Sequence, residues 1–178
     1  MKKVIYLLFL PLVVISGLVF ANHQKKDKPS GKIAPKPISA AERQAAMKAW
    51  EATPGGITYK KWESSPEGRK VLESAARIKI HTAAFANMEA TVTSLSLPPG
   101  SRLGFGVMAK IDGVDYILVF DPEQPQLEQL QTLRVNDKLI IKSTVVSHAP
   151  KYAYAIVRAD YVERNNKVIY KRTPRKGC

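Results

Sequence analysis

The sequence predicts an α+β protein in which helices come first and an antiparallel sheet follows. Up to residue 86 apolar residues recur at steps of three and four, the helical spacing. From Met88 onward they recur at every second residue, which is typical of half-buried strands. Asp112-Gly113 lies between two such runs and is the favoured pair for a two-residue hairpin turn. These observations predict a helical region over residues 39–86 and a β region over residues 87–172.

Local signals predict where each helix begins and ends. Ser39-Ala40-Ala41-Glu42 is a capping box, which predicts a first helix from Ser39 to Ala52. Thr53-Pro54-Gly55-Gly56 is expected to end that helix, and residues 57–62 to form one helical turn. Ser65-Pro66 starts the longest helix, residues 66–86, with serine at the cap and proline in the first turn. Its buried stripe is expected at Val71, Ala75, Ile78, Thr82 and Phe85.

The β region is divided by turn signals into short strands. The Asp112-Gly113 hairpin joins the second strand to the third, and Asp121-Pro122 ends the third. A short helix follows, with Leu127, Leu130 and Leu133 as its apolar side. A turn at residues 135–138 leads into the fourth strand, residues 139–146. The last two runs, residues 152–163 and 167–171, are joined by Asn165-Asn166.

This order of elements resembles an OB-fold, a small Greek-key barrel. The likeness rests on Leu-Arg-Val-Asn-Asp-Lys-Leu-Ile-Ile-Lys-Ser at residues 133–143, which is similar to the opening of the fourth strand in many OB domains. Residues 154–163 resemble the closing strand. The chain is similar to exported bacterial OB-fold proteins and to domains like tRNA-anticodon-binding modules. Over residues 87–164 the resemblance implies a five-stranded OB-like antiparallel barrel, but a fold likeness does not identify a ligand.

The N-terminal sequence is typical of an export signal. Two lysines precede an uncharged apolar run, residues 4–20, and small residues follow. Cleavage is predicted between Ala21 and Asn22. The alternative is an uncleaved anchor, because the run is at the lower edge of the roughly 17–25 residues that span a bilayer. The folded part is therefore expected in the periplasm or outside the cell, or anchored in the inner membrane with the domain outside.

Basic residues are concentrated at the two ends of the chain. The net charge is +13, and removal of residues 1–21 leaves +11. Residues 22–38 are predicted to form a basic flexible tether and residues 173–178 a basic tail. This balance favours anionic partners. Cys178 is the only cysteine, so no internal disulfide is expected, and a terminal thiol without a role is the favoured interpretation.

Five residues are candidates for a ligand site on the predicted sheet. Aromatic faces stack on bases and sugars while basic side chains hold phosphate, so both types on one strand surface indicate binding. Arg102 and Lys110 are expected on one face of the second strand, and Tyr152, Tyr154 and Arg158 on one face of the fifth. The alternative is that the tyrosines pack across the sheet and the cations are solvated.

The sequence offers no strong catalytic or metal-binding pattern. The histidines, His23, His81 and His148, lack the spacing of metal ligands. No nucleophile elbow or glycine-rich phosphate loop is present. We therefore expect no catalytic residue, no metal and no cofactor. Asp121 after the third strand resembles the acidic stretch of thermonuclease-like enzymes, but it is better interpreted as part of a turn.

The expected function is that of a non-enzymatic binding or adaptor module of the bacterial cell envelope. An anionic polymer or an envelope protein is the expected partner, nucleic acid is an open candidate, and the membrane is a partner if the N-terminal segment stays uncleaved. The alternatives are a thermonuclease-like or other exported hydrolase, and a structural subunit of an envelope complex. Trp50, Tyr59 and Trp62 are expected to dock the helices on the sheet and not to form a ligand cage.

Overall fold

The computed structural model describes residues 38–173. The predicted signal with its Ala21-Asn22 cleavage site, nearly all of the tether with His23, and the tail with Cys178 lie outside these residues. The chain divides into two units, Met1–Ala40 and Ala41–Cys178, and the fold described below belongs to the second. No helix within residues 38–173 is long and apolar enough to cross a membrane.

Three helices precede the sheet. They are α1 (Ala40–Glu51), α2 (Pro54–Ser64) and α3 (Pro66–Ala83). Thr53 and Ser65 cap α2 and α3, because each hydroxyl accepts a hydrogen bond from a glycine N–H three residues on, at 3.1 Å and 3.0 Å. The predicted end of the first helix before residues 53–56 is confirmed, but the prediction of a single turn over residues 57–62 is wrong. Pro54 occupies the first turn of α2, where its missing N–H costs nothing.

Two glycines allow the helices to follow one another so closely. A Cβ atom on Gly56 would collide with the Trp50 carbonyl oxygen, and one on Gly68 with the Trp62 carbonyl oxygen. Both glycines are buried. Gly56 therefore permits the close approach of α1 and α2, and Gly68 that of α2 and α3, so neither serves simply to stop a helix.

The β region forms one mixed sheet with the order β5-β6-β3-β2-β1-β4-β7-β8. Its strands are β1 (Met88–Ser94), β2 (Gly106–Ile111), β3 (Val114–Val119), β4 (Lys138–Lys142), β5 (Val145–Ser147), β6 (Ile156–Arg158), β7 (Tyr161–Arg164) and β8 (Lys167–Lys171). Helix α4 (Gln124–Gln131) connects β3 to β4. The α+β class and the order of helices before strands are confirmed.

The strand count and the pairing differ from the expectation of five antiparallel strands. Eight strands lie within the described residues, and β3 pairs with β6 in parallel. The predicted fifth strand is interrupted at Ala159-Asp160, which separates β6 from β7. At this break the Asp160 carboxylate accepts hydrogen bonds from the Thr144 N–H and hydroxyl, at 2.7 Å and 2.6 Å. It also accepts one from Arg172, at 3.0 Å.

The main core lies between one face of the sheet and α3. Val71, Ala75 and Ile78 from α3 are buried together with alternating residues of the strands. The sheet contribution includes Ala90, Val92, Val107, Ala109, Ile111, Leu118, Ile141 and Val162. The predicted stripe of α3 is confirmed as far as Thr82. Phe85 lies beyond the helix end with φ 49 and remains 43 % exposed.

Helix α1 contributes nothing to this core. None of its residues is buried, and Met47 and Trp50 are 57 % and 42 % exposed. The close turn at Gly56 sets α1 beside α2. The two helices are in contact through the rings of Trp50 and Tyr59, with centroids 5.6 Å apart, and through the ion pair of Glu51 and Lys60 at 3.0 Å.

Candidate functional site

A second, smaller apolar cluster lies on the face of β3 that points away from the main core. Because side chains alternate along a strand, Ile117 and Val119 point opposite to Leu118 and meet Ile156 of β6 and Tyr152. Two loops, residues 95–105 and 148–155, cover this cluster with Leu97, Leu103, Ala149 and Tyr154. The sheet face on which a ligand was predicted to lie is thus largely covered by the protein's own loops.

Tyr152 is the polar centre of this covered face. The Arg102 N–H donates a hydrogen bond to the Tyr152 hydroxyl at 3.3 Å, and Lys151 Nζ lies 5.6 Å from the ring centroid. The Ser101 side chain and then the Arg102 N–H lower the pKa of the Tyr152 phenol, assisted by the positive charges of Lys151 and Arg102. The surroundings of this hydroxyl therefore favour negative charge.

Arg102 and Lys151 beside Tyr152, and Arg158 on the cluster face of β6, lack acidic partners in the described part of the chain. Arg102, Lys151 and Arg158 have no carboxylate within ion-pair distance there, although Lys151 donates to the Gly100 carbonyl. Arg158 Nε is buried and has no hydrogen-bond partner within residues 38–173. Arg158 shares the cluster face, because it is two residues beyond Ile156 on β6.

Four other cations in residues 38–173 are ion-paired with carboxylates, although further ones, including Lys70 and Arg77, are not. Arg164 binds the Asp137 carboxylate at 2.8 Å and Arg172 binds Asp160 at 3.0 Å. Lys60 contacts two glutamates on the helices. Positive charge around Tyr152 is therefore left available for an anion.

An open groove of about 360 Å³ lies beside these residues. It is lined by the loop of residues 95–106, including Leu97, Gly100, Ser101 and Phe105. Gly100 and Gly104 have φ 72 and 77, a left-handed backbone conformation that glycine adopts without strain. A shallow groove of this kind accommodates an extended segment more readily than an enclosed small molecule.

The structure places the five predicted ligand residues in two positions. Tyr152 belongs to the second apolar cluster and Tyr154 packs against it, while the Arg102 N–H bonds to Tyr152 and Arg158 lies on the same face of β6 as Ile156. Lys110 lies on the same face of β2 as Met108, as predicted, but beside the hairpin turn, where its Nζ is 4.0 Å from the Asp115 carboxylate. Lys110 is thus at the opposite end of the strands from Arg158, which pairs with Val119.

Three of the predicted strand positions are wrong. Arg102 precedes β2, because Gly104 adopts φ 77 and the strand begins only at Gly106. Tyr152 and Tyr154 precede β6, because residues 149–152 form a turn closed by the Tyr152 N–H and the Ala149 carbonyl at 3.0 Å. These side chains meet through loops and not through strand alternation.

An aromatic cluster joins α2 to the same loop. The rings of Tyr59 and Trp62 lie 5.4 Å apart, and the Trp62 ring stacks on His148 at 6.0 Å with an interplanar angle of 20°. The Tyr59 hydroxyl lies 2.9 Å from His148 Nε2. Sequence reasoning grouped Trp50, Tyr59 and Trp62 but left out His148, since nothing in the local sequence links it to residues 59–62.

Asp121, the residue considered for a catalytic role, makes a backbone hydrogen bond within the fold. The Asp121 N–H donates to the Tyr170 hydroxyl at 3.1 Å, at the end of β3 where a turn was predicted. Within residues 38–173, no three histidine, cysteine, aspartate or glutamate side chains converge as metal ligands do. Comparisons with protein-family models, with curated proteins and with solved structures find no match to this chain.

Proposed function

We propose that this protein is a non-enzymatic binding module for an anionic ligand, bound on the loop-covered face around Tyr152. The observation that carries the proposal is the set of three cations, Arg102, Lys151 and Arg158, without a described acidic partner. Charge-assisted hydrogen bonds from such groups to phosphate, sulfate or carboxylate oxygens are stronger than neutral ones. Tyr154 supplies an aromatic face beside them.

The shape of the surface favours a polymer. The groove along residues 95–106 is shallow and open, and its floor is partly apolar. An extended anionic chain would contact the cations in succession, and each contact would release bound counterions. The described residues hold nineteen basic and fourteen acidic side chains, so most of the net charge of +13 is in the flanking segments. We propose that these flanks add nonspecific attraction while the Tyr152 face selects the ligand.

We further propose that the sheet closes into an OB-like barrel. β6 pairs with β3 and β7 pairs with β4, while only Ala159-Asp160 separates them. At this link the Ala159 N–H donates to the Val119 carbonyl at 3.0 Å, and the Asp160 N–H to the Lys142 carbonyl at 2.9 Å. One continuous segment thus bonds to both ends of the β3-β2-β1-β4 array, which supports closure with β5 and β8 as additions.

The cell envelope is the proposed place of action, with the N-terminal export sequence as its basis. In that setting the module would be an adaptor that holds an anionic envelope polymer. Its action needs no bond to be made or broken. The chemistry is desolvation and charge pairing at Arg102, Lys151 and Arg158.

A binding comparison between two triple variants tests this function. The site variant is Arg102→Ala, Lys151→Ala, Arg158→Ala. The control is Lys48→Ala, Arg69→Ala, Lys79→Ala, which removes the same charge from exposed positions on α1 and α3. We expect the site variant to lose affinity for single-stranded DNA, RNA or an anionic glycan at least tenfold more than the control.

Two outcomes would overturn the proposal. Equal losses in both triple variants would show that net charge alone attracts the polymer. An absence of binding to all three polymers at low salt would remove the anionic ligand and favour a protein partner. Cleavage of DNA or RNA that depends on added metal would instead favour the hydrolase.

A further inference from the structure

A separate cavity of about 270 Å³ lies between α3 and the hairpin of β2 and β3. One wall is the face of α3 that carries Lys70, Glu73 and Arg77, which are three and four residues apart and so lie on one side of the helix. The opposite wall is formed by Gly113, Val114 and Asp115 of the hairpin. The cations of the proposed anionic site, Arg102, Lys151 and Arg158, do not line this cavity, and the two sites share only Tyr154.

The charges in this cavity are mixed but do not neutralise one another. Glu73 is at the spacing from Lys70 and from Arg77 that commonly gives ion pairs on a helix. Within the described residues, none of these three side chains has an ion-pair partner. Asp115 has a loose one, since Lys110 Nζ is 4.0 Å away.

The remaining lining is suited to a small organic body. Tyr154 and Val114 are half-buried and contribute an aromatic face and an aliphatic face. Ser74 is buried behind them, with its hydroxyl donating to the Val71 carbonyl at 2.8 Å. The Ser74 carbonyl accepts from the Tyr116 hydroxyl at 3.0 Å, which fixes α3 on the sheet beneath the cavity.

We propose that this cavity binds a small zwitterionic ligand, an amino acid or a short peptide with both termini free. A ligand with negative charge alone would face Glu73 and Asp115, and a cation alone would face Lys70 and Arg77. A molecule that carries both charges satisfies both pairs at once, with its carboxylate on Arg77 or Lys70 and its ammonium on Glu73 or Asp115. The volume limits it to about the size of a dipeptide.

The experiment is an NMR titration of the whole protein with alanyl-alanine and two blocked forms. N-acetyl-alanyl-alanine lacks the ammonium, and alanyl-alanine amide lacks the carboxylate. We expect the free dipeptide to shift the Lys70–Arg77 and Gly113–Asp115 amide signals, and each blocked form to bind about tenfold more weakly.

Charge-removing variants assign the binding to this cavity. Arg77→Gln and Glu73→Gln should each weaken binding of the free dipeptide about tenfold, because each removes one of the two groups available to a ligand charge. Arg69→Gln and Lys79→Gln, exposed on the same helix but outside the lining, should leave it unchanged. Equal binding of the blocked forms, or no shift at any soluble dipeptide concentration, would overturn the proposal. Neither result would affect the anionic polymer site, whose cations are different.

Discussion

The Tyr59 hydroxyl on α2 lies 2.9 Å from Nε2 of His148, in the loop that carries Tyr152. Trp62 stacks on the other side of this contact, with its ring 6.0 Å from the imidazole. One turn of α2 thus holds the start of the loop of residues 148–155. The helical region consequently positions the loop that carries the proposed binding face.

We predict that this contact is energetically coupled. Tyr59→Phe should cost about 0.5–1.5 kcal/mol of unfolding free energy because it removes only the hydrogen bond. His148→Ala should cost more because it also removes ring contacts of about 0.5–1.5 kcal/mol with Trp62 and Tyr59. In a double-mutant cycle by denaturant unfolding, the two costs should not add.

Ile57→Ala is the control, since that side chain is on α2 and 60 % exposed. It should cost little and be additive with His148→Ala. Strict additivity of Tyr59→Phe with His148→Ala would mean that the observed 2.9 Å contact contributes nothing in solution.

The contact between Tyr59 and His148 could not be predicted from the sequence, whereas local features could. Periodicity correctly predicted α3 and the Asp112-Gly113 hairpin, because both depend on neighbours within a few residues. His148 is 89 positions from Tyr59, so only the folded topology brings them together. The same applies to Tyr152 and Arg102, whose contact depends on two loops meeting over β3.

The hairpin turn gives a second prediction. Asp112 and Gly113 have φ 48 and 76, as predicted for the favoured two-residue turn. Gly113→Val should therefore destabilise the protein by about 1–3 kcal/mol through backbone strain. Steric collision is not involved, since a Cβ atom there meets nothing within 4 Å.

Gly55→Val is the matched control for this strain. Gly55 is in the first turn of α2, and a Cβ atom there has Thr53 Oγ1 as its nearest neighbour at 3.8 Å. Its cost in thermal or denaturant unfolding should be well below that of Gly113→Val. Equal melting temperatures for the Gly113 variant and the wild type would mean that the turn is not formed as described.

Gly68 gives a third prediction because its constraint is steric. Its buried Cα lies against the Trp62 carbonyl at the junction of α2 and α3, so Gly68→Ala forces the two helices apart. We expect a loss of about 1–3 kcal/mol, as for overpacking of a core, and a changed Trp62 fluorescence. Gly55→Ala, which has open space, should be neutral or slightly stabilising. Equal stability of the two alanine variants would contradict the close packing.

The interruption at Asp160 was not predictable from its strand pattern. Residues 154–163 alternate well enough for one continuous strand, and the break depends on Thr144 and Arg172, which are distant in the sequence. The partners that Asp160 gains in the fold outweigh the local preference for continued pairing.

Asp160 gives a fourth prediction, on acid stability. Burial raises the pKa of this carboxyl, but hydrogen bonds from Thr144 and Arg172 outweigh burial and hold the pKa below its ordinary value. A lowered folded-state pKa contributes stability that is fully present above the unfolded value of about 3.9 and is lost as pH falls through the folded value. The denaturant midpoint of unfolding should therefore decrease as the pH is lowered through this range.

Asp160→Asn tests the assignment. It should lower stability at neutral pH by about 1–3 kcal/mol and flatten the acid dependence. Asp112→Asn, at an exposed turn position without an ion pair in the described region, should leave both unchanged. An unaltered acid profile in the Asp160 variant would assign the acid sensitivity to other carboxylates.

The final prediction separates the Tyr152 face from the basic tail. Binding of a polyanion by the tail alone should fall steeply with salt and show no preference among polymers. Tyr154→Ala should lower affinity at every salt concentration, because it removes stacking and not charge. The expected loss is about 1–3 kcal/mol per stacked base for a nucleic-acid ligand. Salt titrations of the wild type, this variant and a chain ending at Thr173 distinguish the two. A shorter chain ending at Asn166 is unsuitable because it would remove β8, whose Ile169 and Tyr170 are buried. Loss of binding only on truncation at Thr173 would make the tail the binder and the sheet its scaffold.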